Sequence, residues 1–227
     1  SGATNGWIPT LDKAVALTPE APGNQEGLFG FGNVGPVNTY VATTNLVSNV
    51  GVVSSDVTGV GTVRQSLAAC EYGGDKGIFG FGYVTGGPYT NVSNLVSNTG
   101  VVASNSTGVG TARGNLAACS YGEDKGIFGF GVTHLFNGTN LVSNTGVVSS
   151  DVTQVGTSRS GAVGCEYGGD KGIFGFVGYT NLVSNTGVVS SDITQVGTNR
   201  SYLGACGYGG DKGIFGFGSP TYSMTNL

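Results

Sequence analysis

Apolar residues along most of the chain alternate with glycine or polar residues, and this alternation returns in blocks. The segment 76–82, read KGIFGFG, places Phe79 and Phe81 at alternate positions with Gly80 between them. A period of two residues is typical of a β-strand. We expect the two phenylalanines to share one face of the strand, and the glycines to leave room on the other face for a neighbouring sheet.

This block recurs along the chain together with a second block. The first Phe of the GIFGFG motif or its variants stands at Phe29, Phe79, Phe128, Phe174 and Phe215. The second block, TNLVSNTGVVSSD, has its first Asn at Asn45, Asn94, Asn140 and Asn181, and it begins again at Asn226. The spacing between copies falls from 50 to 41 residues, within the range that is typical of solenoids and propellers.

Each unit offers four candidate strands joined by tight turns. They are SLAACEY (66–72), KGIFGFG (76–82), TNLVSN (44–49) and VVSSDVT (52–58). Residues 72–75, read YGGD, predict a two-residue hairpin turn, because glycine tolerates the positive φ that such turns need. Because radial closure protects strand edges, five such units predict an all-β, five-bladed β-propeller of four-stranded antiparallel blades.

The predicted propeller is one domain that covers residues 1–227. Its units, named unit 1 to unit 5 below, are approximately 12–63, 64–112, 113–158, 159–199, and 200–227 together with 1–11. When residue 1 is placed after residue 227, the N-terminal segment keeps its hydrophobic and turn positions roughly in step with the other copies. We expect it to supply the outer strand of unit 5 and to close the ring. An open or oligomer-completed arrangement is the alternative.

Composition and charge limit the classes of partner that we expect for this chain. Glycine accounts for 44 of 227 residues, and 10% of residues are charged, with a net charge of −4. Without a basic stripe, nucleic acid is not an expected partner. No apolar stretch is long enough for a membrane span, and the N-terminus lacks the basic start and apolar core of a signal peptide. We expect a soluble chain without membrane insertion, either not exported by that route or already trimmed.

The order of residues in each unit resembles the kelch propeller repeat. An arginine, a small-residue strand, a turn and an aromatic-glycine strand follow one another, as in Arg64, 66–69 and 76–82. The resemblance runs through nearly the whole chain, but Phe-Gly replaces the kelch double glycine, and the usual outer-strand tryptophan is missing, since Trp7 is the only Trp. The resemblance therefore concerns architecture.

The DKGIFGFG and TNLVSNTGVV units are also similar to tandem repeats in proteins of bacteriophages and environmental bacteria. This likeness implies a non-catalytic structural or adhesive protein, such as a subunit of a phage particle or an extracellular appendage. It implies a virion or extracellular location, no cofactor, and partners that are other structural proteins or surface glycans, with a homo-oligomer as a further option.

Charged residues and thiols follow the same repeat. The arginines at one equivalent position are Arg64, Arg113, Arg159 and Arg200. The cysteines at another are Cys70, Cys119, Cys165 and Cys206. Such phasing favours structural bonding of the arginines between units, although a ring of guanidinium groups near the channel mouth is an alternative site for an anion or acidic sugar. The cysteine spacing fits no zinc motif, so we expect packed free thiols and no metal site.

The connectors that follow each GIFGFG motif differ in length and composition, so they are where function is expected. Their aromatic residues are Tyr40, Tyr83, Tyr89, Phe136, Tyr179 and Tyr222. These residues, with the four arginines as the alternative to their structural role, are the candidate ligand-binding residues on one face, because aromatics beside Asn and Thr suit sugar stacking or protein contact. The other interpretation is turn-forming loops whose aromatics are incidental. A lectin-like carbohydrate-binding propeller is the alternative function. His134, the only histidine, has no triad partners in the repeat, so no enzyme is predicted.

Overall fold

A computed structural model of the chain describes residues 25–35, 39–134, 136–152, 155–175, 177–220 and 225–226. Within these ranges the regular secondary structure is antiparallel β-sheet and no helix occurs, which confirms the prediction of an all-β fold. The same ranges therefore contain no helix long and apolar enough to cross a bilayer. The predicted closing segment 1–11 and the predicted site residue Tyr222 lie outside the described residues.

The strands follow the repeat. Unit 1 contains β1 (Gly27–Val34) and β2 (Thr39–Val47). Unit 2 contains β3 (Arg64–Gln65), β4 (Ala68–Tyr72), β5 (Lys76–Gly80), β6 (Tyr83–Val84) and β7 (Ser93–Val96). Unit 3 contains β8 (Ala117–Tyr121), β9 (Lys125–Gly129) and β10 (Thr139–Val142). Unit 4 contains β11 (Val163–Tyr167), β12 (Lys171–Gly175), β13 (Tyr179–Val183) and β14 (Ile193–Thr194). Unit 5 contains β15 (Gly204–Tyr208), β16 (Lys212–Gly216) and β17 (Thr225–Asn226).

Pairing within each unit is sequential. The sheets are β1-β2, β4-β5-β7, β8-β9-β10, β11-β12-β13-β14 and β15-β16-β17, with the small pair β3-β6 beside them. The small-residue strands of units 2 to 5, namely β4, β8, β11 and β15, are neighbours in space in that order. They form the inner row of the molecule.

The prediction of a fourth strand is wrong for most units, as far as the described residues show. The VVSSDVT segment of unit 1 is joined to β2 by isolated bridges, Val47 to Val53 and Thr44 to Val57, and only unit 4 forms a fourth strand, β14, within the described residues. The physical reason lies in the exposure of this segment. It runs along the edge of the sheet, where Val52, Val53 and Val57 are about half exposed or more, so little packing holds a continuous ladder.

The hairpin turn is one residue longer than predicted. Tyr72 pairs with Lys76, so the loop contains three residues, 73–75. Gly73 and Gly74 have φ values of 65° and 74°, in the left-handed region that glycine adopts without strain. The turn therefore meets the expectation of positive φ but not the expected length.

The two phenylalanines of the motif face opposite neighbours, which corrects the expectation that they share a face. Phe79 packs in a cluster with Leu28 and Phe31 of unit 1, whereas Phe81 belongs to a cluster with Phe128 of unit 3. Strict alternation would keep Phe79 and Phe81 together. Phe81 departs from it because its φ is 64°, a left-handed conformation that turns its ring to the next unit.

The core lies between successive units. Each buried cluster joins two neighbours: units 1 and 2, units 2 and 3, units 3 and 4, and units 4 and 5. At the second of these, the Phe128 ring lies over Gly80, where a Cβ would stand 2.6 Å from its Cζ atom. The prediction that the glycine face admits a neighbouring aromatic is confirmed there. Burial of such a ring contributes about 1.5–3 kcal/mol.

Backbone hydrogen bonds link the units at both ends of the inner row. At the hairpin end, Gly73 donates its N–H to the Asp124 carbonyl at 2.7 Å, and the same bond recurs in the next two pairs of units. At the other end, Asn115 donates to the Ser66 carbonyl at 2.9 Å, again with equivalents along the row. Neighbouring units are thus hydrogen-bonded to each other at both ends of the inner strands.

Candidate functional site

The four arginines lie inside the protein. The exposed fraction is 0% for Arg64 and Arg113, 3% for Arg159 and 2% for Arg200. Arg64 donates from Nε to the Phe81 carbonyl at 2.8 Å and from an Nη atom to the Asn94 side-chain oxygen at 2.8 Å, both in unit 2. Its guanidinium carbon also lies 4.2 Å from the centre of the Phe31 ring in unit 1. One arginine therefore fastens two units together.

The same arrangement recurs at the next arginines. Arg113 lies 4.0 Å from the Phe81 ring centre and donates to the Phe130 carbonyl at 2.8 Å, while Arg159 lies 3.7 Å from the Phe130 ring centre. Burial lowers the pKa of Arg113 to about 10, so the group remains protonated at neutral pH. These buried guanidinium groups make contacts inside the protein and are not accessible to a ligand.

A third residue completes each arginine network, and its charge differs between units. In unit 3 the Asp151 carboxylate accepts hydrogen bonds from the Asn140 amide at 2.9 Å and from the Thr111 hydroxyl at 2.6 Å. In unit 2 the corresponding residue is Asn105, which accepts from the Asn94 amide at 3.0 Å. The geometry is kept while the carboxylate is replaced by an amide.

The cysteines are free thiols, and the sulfur atoms of Cys70, Cys119 and Cys165 pack between units. A Cβ at Gly126 would lie 2.5 Å from the Cys70 Sγ atom, and the same distance separates Gly172 from the sulfur of Cys119. Burial raises the pKa of the Cys70 thiol to about 12. This thiol is therefore unreactive at neutral pH in the folded protein.

Three of the predicted tyrosines come together at the connector end of units 1 and 2. The Tyr40 and Tyr83 ring centres are 6.3 Å apart, and those of Tyr83 and Tyr89 are 5.4 Å apart, both in edge-to-face arrangements. Gln65 donates an amide hydrogen to the Tyr40 hydroxyl at 2.9 Å. Tyr40 is buried, whereas Tyr83 and Tyr89 remain partly exposed. We call these three side chains the tyrosine cluster.

The other predicted aromatic residues lie elsewhere. Phe136 is buried, and its ring centre lies 4.7 Å from the guanidinium carbon of Arg113. Tyr179 begins β13, where it pairs with Thr194 and is half-buried. The nine predicted site residues that lie within the described ranges thus do not form one site, and Tyr83 and Tyr89 of the tyrosine cluster are the ones that are both assembled and partly accessible.

A central cavity was missed by the sequence reasoning. Its volume is about 640 Å³, and all five units contribute to its lining. Glu71 of unit 2 and Glu166 of unit 4 both lie on it. Burial raises the pKa of both carboxyls, and the charge of Glu71 raises that of Glu166 further, so units that are not adjacent in the chain face each other.

A weak signal for the cavity is visible in the sequence. The residue after each repeated cysteine changes from copy to copy, in the order Glu71, Ser120, Glu166 and Gly207. Such variation inside an otherwise repeated strand indicates a position that the packing between units does not determine.

The ion pair of the hairpin and the single histidine lie at the surface. The Lys76 ammonium and the Asp75 carboxylate are 2.6 Å apart at the hairpin, with side chains 40% and 32% exposed, and ion pairs at this level of exposure contribute little stability. His134 lies exposed in a turn. In the part of the chain that the structure describes, no three His, Cys, Asp or Glu side chains are grouped to hold a metal ion.

The sequence was also compared with known proteins. No protein-family model matches the chain, and no curated protein matches it. The resemblances to kelch repeats and to bacteriophage repeats therefore stay predictions.

Proposed function

We propose that this chain is a non-catalytic structural or adhesive propeller, whose five units form a ring around the central cavity and whose connectors contact its partners. The observation that carries the proposal is the buried arginine network. Arg64 bonds to unit 2 through Phe81 and Asn94 and stacks on Phe31 of unit 1. Because the repeated arginines make contacts inside the protein, we expect the variable connectors to make the contacts with other molecules.

Curvature of the inner row supports the ring. One cavity is lined by residues of all five units, and the charge of Glu71 raises the pKa of Glu166, which lines the same cavity, although unit 3 separates the two residues in the chain. Residues 1–11 are proposed to complete the outer edge of unit 5. Deletion of residues 1–10 should then lower the thermal midpoint of unfolding. An unchanged midpoint would contradict closure by this segment.

The structural role can be tested in the native source. The proposal places the chain in a phage particle or an extracellular appendage, in contact with other structural proteins or with copies of itself. Quantitative mass spectrometry of purified particles and surface fractions should find the chain at a fixed ratio to a structural component. If the chain does not enrich with any assembly, the structural role is wrong.

A lectin-like function is the second candidate, and the tyrosine cluster favours it. Tyr83 and Tyr89 present partly exposed rings at the connector end, and such amphipathic rings stack well on sugars. A glycan array should then show binding that Tyr89→Ala abolishes and that His134→Ala, an exposed connector control, leaves unchanged. An array without any sugar response would remove this candidate and leave the structural one.

A further inference from the structure

The interfaces between units 2 and 3, units 3 and 4, and units 4 and 5 each contain two reciprocal contacts. The interface between units 1 and 2 has only the first of the two, because no described sulfur atom lies near a Cβ at Gly77. In one, the first Phe of a unit lies on a glycine of the preceding unit: a Cβ at Gly129 would stand 2.8 Å from the Phe174 ring. In the other, a cysteine sulfur packs on a glycine of the following unit: a Cβ at Gly213 would stand 2.6 Å from the Cys165 sulfur. The two contacts run in opposite directions, so each interface has a direction along the chain.

Units 1 and 5 each carry residues of these two contacts whose partner residue is not beside them among the described residues. Phe29 is 65% exposed, whereas the equivalent Phe79 is 7% exposed. Among the described residues, a Cβ at Gly216, which is equivalent to Gly129, would meet only the Thr225 side chain. Unit 1 therefore presents an uncovered phenylalanine, and unit 5 presents the glycine that such a ring covers at the other interfaces.

The reverse contact is unmatched in the same way. Cys206 of unit 5 is exposed, whereas the equivalent Cys119 and Cys165 are buried. A Cβ at Gly27 of unit 1, which is equivalent to Gly213, would meet the Val47 side chain but no sulfur among the described residues. The missing partner of each half is thus present on the other terminal unit.

We propose that the exposed faces of unit 1 and unit 5 dock on each other within one chain, with Phe29 over Gly216 and Cys206 against Gly27. This inference rests on the proposed ring and assigns the residues that close it. The four formed interfaces define what each face binds. An intramolecular partner is favoured because Gly27 and Cys206 already line the same cavity. On docking, we expect the hairpin bond to repeat once more, with the Gly209 N–H donating to the Gln25 carbonyl.

A disulfide trap tests this docking. In the Gly27→Cys variant, mild oxidation with copper phenanthroline should join the introduced thiol to Cys206 within one chain. Peptide mapping by mass spectrometry identifies the linked pair, and non-reducing electrophoresis shows whether one chain or two are joined. Gly213→Cys is the matched positive control, because it should link to Cys165 across a formed interface. Gly74→Cys is the negative control, since no described atom lies within 4 Å of its Cβ position.

The outcomes separate the docking from the ring. A disulfide between two chains, or no disulfide when Gly213→Cys forms one, overturns the docking. If the deletion of residues 1–10 lowers the thermal midpoint while the trap fails, the ring closes through other residues. If both experiments fail, the ring itself is wrong, and neither result depends on the glycan or particle tests.

Two further measurements keep the proposal testable if Gly27→Cys does not fold. In the wild-type protein, Cys206 should be alkylated by iodoacetamide as slowly as Cys119 and Cys165. Alkylation of Cys206 at the rate of an exposed thiol would contradict docking. The Phe29→Ala and Phe79→Ala variants should also lower the thermal midpoint by similar amounts, whereas an unchanged midpoint for Phe29→Ala would contradict it.

Discussion

The interfaces between units and the connectors at one end of the molecule use the same kinds of residue in opposite ways. At an interface, the Phe128 ring is fully buried over Gly80. The Arg113 side chain is also fully buried, and it donates to the Phe130 carbonyl. In the connectors, Tyr83 and Tyr89 contact each other and keep part of their surface in solvent. The difference teaches that repeated residues build the scaffold, while some of the unrepeated connector residues keep surface in solvent.

The largest expected effect lies at an interface phenylalanine. Phe128→Ala should lower the free energy of unfolding by about 3–5 kcal/mol, because it removes a fully buried ring and leaves a cavity between units 2 and 3. Val147→Ala in the same unit is the control, since that side chain is 65% exposed and surface changes usually stay within about 0.5 kcal/mol. Equal losses in urea unfolding for the two variants would break the comparison.

The arginine network should give the next largest effect. Arg113→Met removes the donors to the carbonyl oxygens of Phe130 and Thr111 and the stacking on Phe81. Because buried acceptors left without a donor cost about 1–3 kcal/mol, we expect a loss of that size in the free energy of unfolding. Arg113→Lys keeps the charge but loses the planar fork, so it should be destabilised as well. A wild-type unfolding curve for both variants would show that the arginine is not structural.

The charge of the third network residue should have a smaller, pH-dependent effect. Burial alone would raise the pKa of the Asp151 carboxyl, but hydrogen bonds from Thr111 and Asn140 and the charge of Arg113 lower it overall. A lowered folded pKa stabilises the protein above the unfolded value of about 3.9, and this contribution is lost as the pH falls through the folded pKa.

Asp151→Asn and Asn105→Asp exchange the two versions of this network. We expect Asp151→Asn to lose about 0.5–1.5 kcal/mol at pH 7, with a weaker loss of stability in acid than the wild type. Asn105→Asp should gain stability at pH 7 and show a steeper loss in acid, because Arg64 acquires a carboxylate partner. Identical pH profiles of the thermal midpoint for all three proteins would contradict the assignment.

A strained connector residue should give a small gain. Val177 has a φ of 64°, and the left-handed region is unfavourable for a β-branched residue. The left-handed conformation costs a side chain with a Cβ roughly 1–2 kcal/mol, and the greater freedom of glycine in the unfolded chain offsets about 0.5–1 kcal/mol of the relief. Val177→Gly should therefore raise the free energy of unfolding by about 0.5–1 kcal/mol. Phe81→Gly is the contrast, because Phe81 shares this φ but its ring lies under Arg113, so this change should destabilise the protein. A loss in Val177→Gly would indicate that its side chain has a packing role.

Periodicity in the sequence predicted the strands that carry the strongest pattern. The inner and middle strands, such as β4 and β5, follow directly from the recurrence of the small-residue and GIFGFG segments. The equivalence of the four arginines was also visible, because they occur at one position of the repeat. Their burial was not, since the same phasing would arise for a ring of exposed groups.

The failures of the sequence reasoning have local causes. The fourth strand is reduced to isolated bridges in unit 1 because its segment lies at the exposed edge of the sheet, where Val53 and Val57 bury little surface, and the two-residue period does not reveal this. Phe81 faces the next unit because its backbone is left-handed, which a strict two-residue period cannot anticipate. The cavity between Glu71 and Glu166 depends on how the units curve, and this is a property of several interfaces together.

Hydrogen exchange of the unmodified protein tests the central claim most directly, because it compares unit 5 with unit 4 in one experiment. If the five units form a ring, the amides of β15 and β16 are covered by a neighbour on both sides, as those of β11 and β12 are, and protection from exchange should be comparable in the two units. Exchange of β15 and β16 as fast as that of the connector 83–92, with β11 and β12 still protected, would contradict the ring.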